Sequence, residues 1–157
     1  MKTIIQVTVL CVSLLTAMSA NPSPITGGAG FDLGQRFDPK AAKAEELNQY
    51  GIVYKTAPLS GNNAIDYILL RLTADHRIHR ITVLYKPESV ADCDTEKTQM
   101  RKEIEKKYPD LGYYAMEVSE LFYQGPRTLS IECVEAGKEN RLKVEYSDDV
   151  LGKLNAK

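Results

Sequence analysis

The stretch Ala64-Ile65-Asp66-Tyr67-Ile68-Leu69-Leu70-Arg71-Leu72-Thr73-Ala74-Asp75-His76-Arg77-Ile78-His79-Arg80-Ile81-Thr82-Val83-Leu84-Tyr85-Lys86 decides the fold. Its second half alternates, with His79, Ile81, Val83 and Tyr85 on one side and Arg80, Thr82 and Lys86 on the other. That period of two belongs to a strand with one buried face. Its first half is apolar on both sides, Ile65, Tyr67 and Leu69 against Ile68, Leu70 and Leu72, so it reads as a central strand. Ala74-Asp75-His76-Arg77 supplies the connection, and the pair is a hairpin.

Working outward, Pro58 and Ser60-Gly61-Asn62-Asn63 close an earlier strand at 52–56. Before it, Asp38-Pro39 reads as a helix cap and first turn, with an Ala-, Glu- and Lys-rich helix over 40–50 that Gly51 ends. After the hairpin, Ser89-Val90-Ala91-Asp92 resembles a capping box. Val90, Cys93, Met100, Ile104 and Tyr108 then recur at helical spacing, up to Pro109. Residues 127–135 and 141–146 alternate as strands around the Ala136-Gly137-Lys138-Glu139-Asn140 turn. Leu129, Ile131 and Cys133 share one face, as do Leu142, Val144 and Tyr146. Ser147 reads as the cap of a short last helix through Val150, Leu151 and Leu154. Residues 113–124 fit either a strand or a short helix, and the strand is preferred. The order predicts an α+β fold: an antiparallel sheet of about five or six strands, one long helix on one face, and short helices at both ends.

The first twenty residues stand apart. Met1-Lys2, an apolar run from Ile4 to Leu15 and small residues at Ala17-Met18-Ser19-Ala20 have the order of a secretory signal peptide, cleaved between Ala17 and Asn21. A flexible leader over 21–29 follows, then one domain over 30–157. The expected localisation is periplasmic or secreted. Without residues 1–20 the chain loses Cys11 and keeps Cys93 and Cys133, an even pair in an oxidising compartment. Free thiols or a nucleophilic cysteine are the alternatives. Asp92 and Asp94 flank Cys93 and would raise its pKa, which disfavours a nucleophile. Both cysteines fall on apolar stripes, so a bridge from the long helix to the sheet is expected.

Chemistry has few carriers. With 20 basic and 21 acidic side chains there is no basic field for nucleic acid. Thr26-Gly27-Gly28-Ala29-Gly30 lacks the Gly-Lys-Ser/Thr ending of a phosphate loop and reads as a flexible or strand-flanking loop. His76 and His79 are the only histidines, and a zinc site wants further ligands. With Arg77 and Arg80 they make a basic hairpin tip, either a solvated turn or a contact for an acidic partner. No G-x-S-x-G elbow occurs, while paired-carboxylate catalysis stays open. Tyr108, Tyr113, Tyr114, Phe122 and Tyr123 cluster within sixteen positions. Adjacent residues in strands face opposite ways, so one of Tyr113-Tyr114 and one of Phe122-Tyr123 is expected at the surface, where tyrosines suit protein recognition. The partner-binding candidates are Tyr113, Tyr114, Phe122, Tyr123, His76 and Arg77; no catalytic residue, metal ligand or cofactor is assigned.

Gly30-Phe31-Asp32-Leu33-Gly34-Gln35 with Phe37-Asp38-Pro39, the hairpin, a Cys-bearing helix ending Lys106-Lys107-Tyr108, and Ile131-Glu132-Cys133 through Leu142 to Tyr146 and Leu151 resemble a loose group of small bacterial periplasmic proteins. The resemblance covers most of the chain beyond the leader, and its motifs are structural. Small periplasmic domains of similar layout include enzyme inhibitors, toxin-immunity proteins and envelope-assembly accessory factors. The function expected is a non-enzymatic protein-binding domain, an inhibitor or immunity protein acting on an envelope enzyme. An assembly accessory factor or a small-ligand carrier is the alternative. The expected partner is another periplasmic or secreted protein, with no nucleic acid and no membrane span.

Overall fold

Alternating apolar residues and turn formers set the element order. In a computed structural model, which describes residues 25–49, 52–59, 61–86, 92–136 and 139–153, the chain runs β1 (Gly27–Gly28), β2 (Phe31–Asp32), β3 (Glu45–Glu46), β4 (Val53–Thr56), β5 (Ile65–Leu72), β6 (Ile78–Tyr85), α1 (Cys93–Lys107), β7 (Gly112–Ala115), β8 (Ser119–Gln124), β9 (Arg127–Ala136), β10 (Glu139–Asp148) and α2 (Asp149–Lys153). β1 and β2 form a small hairpin. The rest make one eight-stranded antiparallel sheet, ordered β3-β4-β5-β6-β10-β9-β8-β7.

The antiparallel sheet with one long helix is as the alternation predicts, and the strand count is larger. Residues 113–124 fold as two strands around a turn at 116–118, and the short β3 adds an edge. β5 is flanked in the sheet by β4 and β6, as expected of a central strand. A bulge between Ile65 and Tyr67 turns Ile65 onto the buried face beside Ile68 and Leu70.

The helix expected over 40–50 does not form across the described residues. Asp38 Oδ1 accepts the Lys40 and Ala41 N–H groups, as a cap does, at 3.0 and 3.2 Å. One turn follows, and Lys43, at φ 50°, ends it. Glu45 and Glu46 then pair with Lys55 and Tyr54. The stretch has Ala and charge but no apolar stripe to bury, and Leu47 stays exposed. Helices of this length are marginal in water without packing, and the open edge of β4 offers backbone partners instead. The last helix is capped by Asp148, not Ser147: its Oδ1 accepts from Val150 and Leu151 at 3.1 and 3.0 Å. Ser147 sits in β10 opposite Thr128.

Register places the core on one face. Paired residues share a face, so Phe122, Leu129, Tyr146, Ile81, Leu70 and Tyr54 lie in one row across six strands. Ile131, Val144, Val83 and Ile68 form the next row. α1 covers this face at the β9–β10 side, held by the Cys93–Cys133 disulfide with Cα atoms 5.9 Å apart. Cys93 and Ile104 are buried, and Met100 and Tyr108 pack against the core, so the stripe holds from Cys93 on, and Val90 lies outside the described residues. Asp92 caps α1; the rest of the expected capping box, Ser89 to Ala91, lies outside the described residues, as do Gly51, Gly137, Lys138 and Leu154.

The N-terminal hairpin covers the same face beside Ile81 and Tyr146. A Cβ on Gly28 would come within 2.6 Å of the Tyr146 ring, and one on Gly27 within 2.1 Å of the Phe31 carbonyl. Ala29 (φ 56°) and Gly30 (φ 93°) make the tight turn, in which both central residues take positive φ. The glycine-rich stretch is thus a strand-flanking turn. Residues 25–29, expected as leader, belong to the packed domain: Ile25 is fully buried, and its carbonyl accepts from Arg127 at 2.9 Å. The expected signal peptide and residues 21–24 lie outside the described residues. No described helix is long and apolar enough to cross a membrane.

The opposite face carries a polar lattice. Glu145 approaches Arg80 at 3.6 Å and accepts from Thr82 at 3.0 Å, Lys143 contacts Glu132, and Arg141 pairs with Asp66 at 2.5 Å. Half-buried Tyr67, Leu69 and Leu84 lie among these groups.

Candidate functional site

The residues singled out from sequence separate into two places. Tyr113, Tyr114, Phe122 and Tyr123 lie on the β7–β8 hairpin, at one edge of the sheet. His76 and Arg77 lie in the β5–β6 turn, three strands away from β8.

In the hairpin, Tyr113 pairs with Phe122, Tyr114 with Leu121, and Gly112 with Tyr123. Phe122 is 1% exposed, a core residue unavailable to a partner. Tyr113 packs on it with ring centroids 5.2 Å apart. Tyr113 also meets Arg101 of α1; its side chain first, and then the Glu120 charge, raises the Arg101 pKa. Glu120 is buried beneath Arg101 with a separation of 3.7 Å, which ties the hairpin to the helix. Tyr123 lies over Gly112, where a Cβ would come within 2.4 Å of its ring. An aromatic over an edge-strand glycine shelters that backbone. Tyr114 is the most open of the set, at 61% exposed. Alternation sorts Phe122 from Tyr123 as expected, but at the sheet edge both Tyr113 and Tyr114 are exposed, and the structure adds Met116 and Val118, exposed in the turn. Both are apolar residues in a turn segment, a signal visible in the sequence but masked by its strand–helix ambiguity.

At the other place, the turn is rigid. Thr73 Oγ1 donates to Asp75 at 2.5 Å, Arg77 Nε donates to Asp75 at 2.7 Å, and the Arg77 N–H donates to Thr73 Oγ1 at 2.9 Å. The Thr73 hydrogen bond first, then Arg77, holds the Asp75 carboxyl below the ordinary carboxylate range. His76 takes φ 60°, and its carbonyl accepts from Phe37 at 2.9 Å. His79 is not part of this tip. It lies buried next to Gly152 of α2, and burial, followed by the Arg80 and Arg71 charges, lowers its pKa against the pull of Asp148. The two histidines do not converge, and no group of three or more metal-ligating side chains is found among the described residues.

Beside the turn opens a cavity of about 670 Å³ between the 36–46 segment, Tyr54 of β4 and residues 75–76. Its floor is aromatic, with Phe37 6.3 Å from Tyr54 and 5.9 Å from Phe31 by ring centroids. Burial, and then Glu46 directly across the strand pair, raises the Tyr54 pKa. Arg36, Lys40 and Lys43 line the rim. No sequence pattern gathers these residues, because the expected 40–50 helix would have dispersed them.

Compared with known proteins, the chain matches no family model, no curated protein and no solved structure. The disulfide fits an oxidising, extracellular or periplasmic setting.

Proposed function

We propose that this chain is a secreted or periplasmic, non-enzymatic protein-binding domain that occludes an envelope enzyme as an inhibitor or immunity protein, with the β7–β8 edge as its contact. One observation carries the reading. Of the eight exposed large apolar side chains among the described residues, five lie within Tyr113–Tyr123: Tyr113, Tyr114, Met116, Val118 and Tyr123. Exposed apolar side chains gathered on one edge hairpin suit protein contacts, and the tyrosines bring large area at small entropic cost. β7 is also an edge strand with free backbone groups, which a partner strand can extend. Occlusion asks only for a rigid surface, and the disulfide and the Arg101–Glu120 contact supply rigidity at this hairpin.

The test is a crosslinked pull-down from native periplasm with the oxidised protein, run beside Tyr114→Glu. The expected result is a single enzyme captured by the wild-type chain and lost with Tyr114→Glu, whose turnover falls to zero at one equivalent of wild-type protein. Capture that Tyr114→Glu leaves intact, or a captured enzyme that keeps its turnover, overturns the reading. Tyr123→Ala is the poorer probe, because its ring also covers Gly112.

A further inference from the structure

We propose that the cavity beside the β5–β6 turn binds a small amphipathic carboxylate, its apolar body against Phe37 and Tyr54 and its carboxylate between Arg36 and Lys43. The proposal is independent of the protein contact at β7, since the cavity borders β3 and β4 at the far edge of the sheet.

About 670 Å³ falls within the range of small-molecule sites, which combine an apolar floor with a few polar groups. The charges decide the ligand class. Asp75 is paired with the Arg77 guanidinium, while Asp38 accepts the Lys40 and Ala41 N–H groups and keeps its charge. Arg36, Lys40 and Lys43 form no ion pair among the described residues, so three cations line the opening against two carboxylates, Asp38 and Glu46, and leave it net positive. Glu46 lies across the strand pair from Tyr54. It repels a second negative group at the floor, which favours a single anionic head and an uncharged body.

The experiment uses the oxidised protein and anilinonaphthalene sulfonate, a fluorescent aromatic monoanion, with decanoate and decanol as competitors of equal chain length. The expected result is one saturable probe site per chain, displaced by decanoate and not by the same concentration of decanol. The double variant Arg36→Gln, Lys43→Gln should weaken probe binding about tenfold. Lys102→Gln, which removes a cation from the exposed side of α1, should leave it unchanged. Should the double variant melt early, Lys40→Gln serves in its place, with a loss of about threefold expected. Absence of a saturable site, equal displacement by decanol, or unchanged affinity in the rim variants overturns the proposal.

Discussion

At one edge of the sheet β3 presents Glu45 and Glu46; at the other β7 presents Gly112, Tyr113, Tyr114 and Ala115. The first is two residues long and doubly charged, a common way of keeping an edge from pairing with another chain. The second carries no charge and two tyrosines. Supports differ as well. The 40 positions separating Cys93 from Cys133 hold α1, β7, β8 and the start of β9, so a covalent link closes around the aromatic edge. The acidic side relies on a noncovalent contact, Phe37 against Tyr54, while the β1–β2 hairpin sits over β6 and β10 at the sheet centre. An uncharged edge that is also braced is what a preorganised contact surface requires.

Opening the disulfide should break this contrast most severely. Cys93→Ala or Cys133→Ala is expected to cost about 4 kcal/mol, by loop-closure entropy for a loop of this length. Amide exchange should rise in β7 and β8 before it rises in β4 and β5, so denaturant unfolding and hydrogen exchange together read the effect. Uniform acceleration across the sheet would mean that the bridge supports the whole fold and not this edge. At the sheet centre, Gly28→Val forces a side chain into the Tyr146 ring and should cost about 2 kcal/mol, seen as a lowered melting temperature. An unchanged melting temperature would show that the hairpin is not seated on the sheet.

The same contrast explains what sequence alone makes legible. β5, β6, β9, β10 and α1 each bury one apolar stripe, and their periods locate the core face, the helix and the cysteine pairing. Elements fixed by something other than a stripe escape that reading. β3 consists of two glutamates and exists because β4 needs a partner. The 40–44 turn stops at Lys43 because nothing apolar rewards another helical turn. Gly27 and Gly28 are seated by close approach to Phe31 and Tyr146, a tertiary fact. The aromatic candidates were half legible: alternation separates Phe122 from Tyr123, while the turn at 116–118, which exposes Met116 and Val118, interrupts the period. The cavity was not legible at all, since its lining comes from three segments joined only by the fold.

Exchanging the character of the two edges sharpens the comparison at smaller cost. Glu45→Thr with Glu46→Val should leave stability within about 0.5 kcal/mol, because both side chains are exposed. It should also promote concentration-dependent self-association, measurable by sedimentation. Tyr114→Lys should leave stability similarly unaffected while reducing affinity for the β7 partner at least about tenfold. Tyr123→Ala should lower both, with about 1 kcal/mol of stability lost as Gly112 is uncovered. Equal stability losses for Tyr114→Lys and Tyr123→Ala would mean the two tyrosines do one structural job, and the edge would lose its claim as a contact.

The smallest effect lies midway between the edges. His79 sits on β6 under α2, and its folded pKa is depressed below the ordinary histidine value of about 6.5, chiefly by burial. Between the folded pKa and about 6.5 the unfolded chain therefore binds more protons than the folded one. Stability from a neutral His79 is present above about pH 6.5 and drains away as pH falls through that window. Arg80 and Arg71 reinforce the shift and Asp148 opposes it, so the charges of β5, β6 and β10 all enter. His79→Gln, which keeps the polar side chain and removes the proton site, should flatten the stability profile between pH 6.5 and the folded pKa. Asp75 and Asp92, whose pKa values are lowered by local hydrogen bonds, act only at more acidic pH and should leave their slope in both proteins. Since β6 lies three strands from β8, acid should loosen α2 and the sheet centre while the braced aromatic edge keeps its protection from exchange. Loss of β7–β8 protection in the same window would instead make the two edges one cooperative unit with the centre.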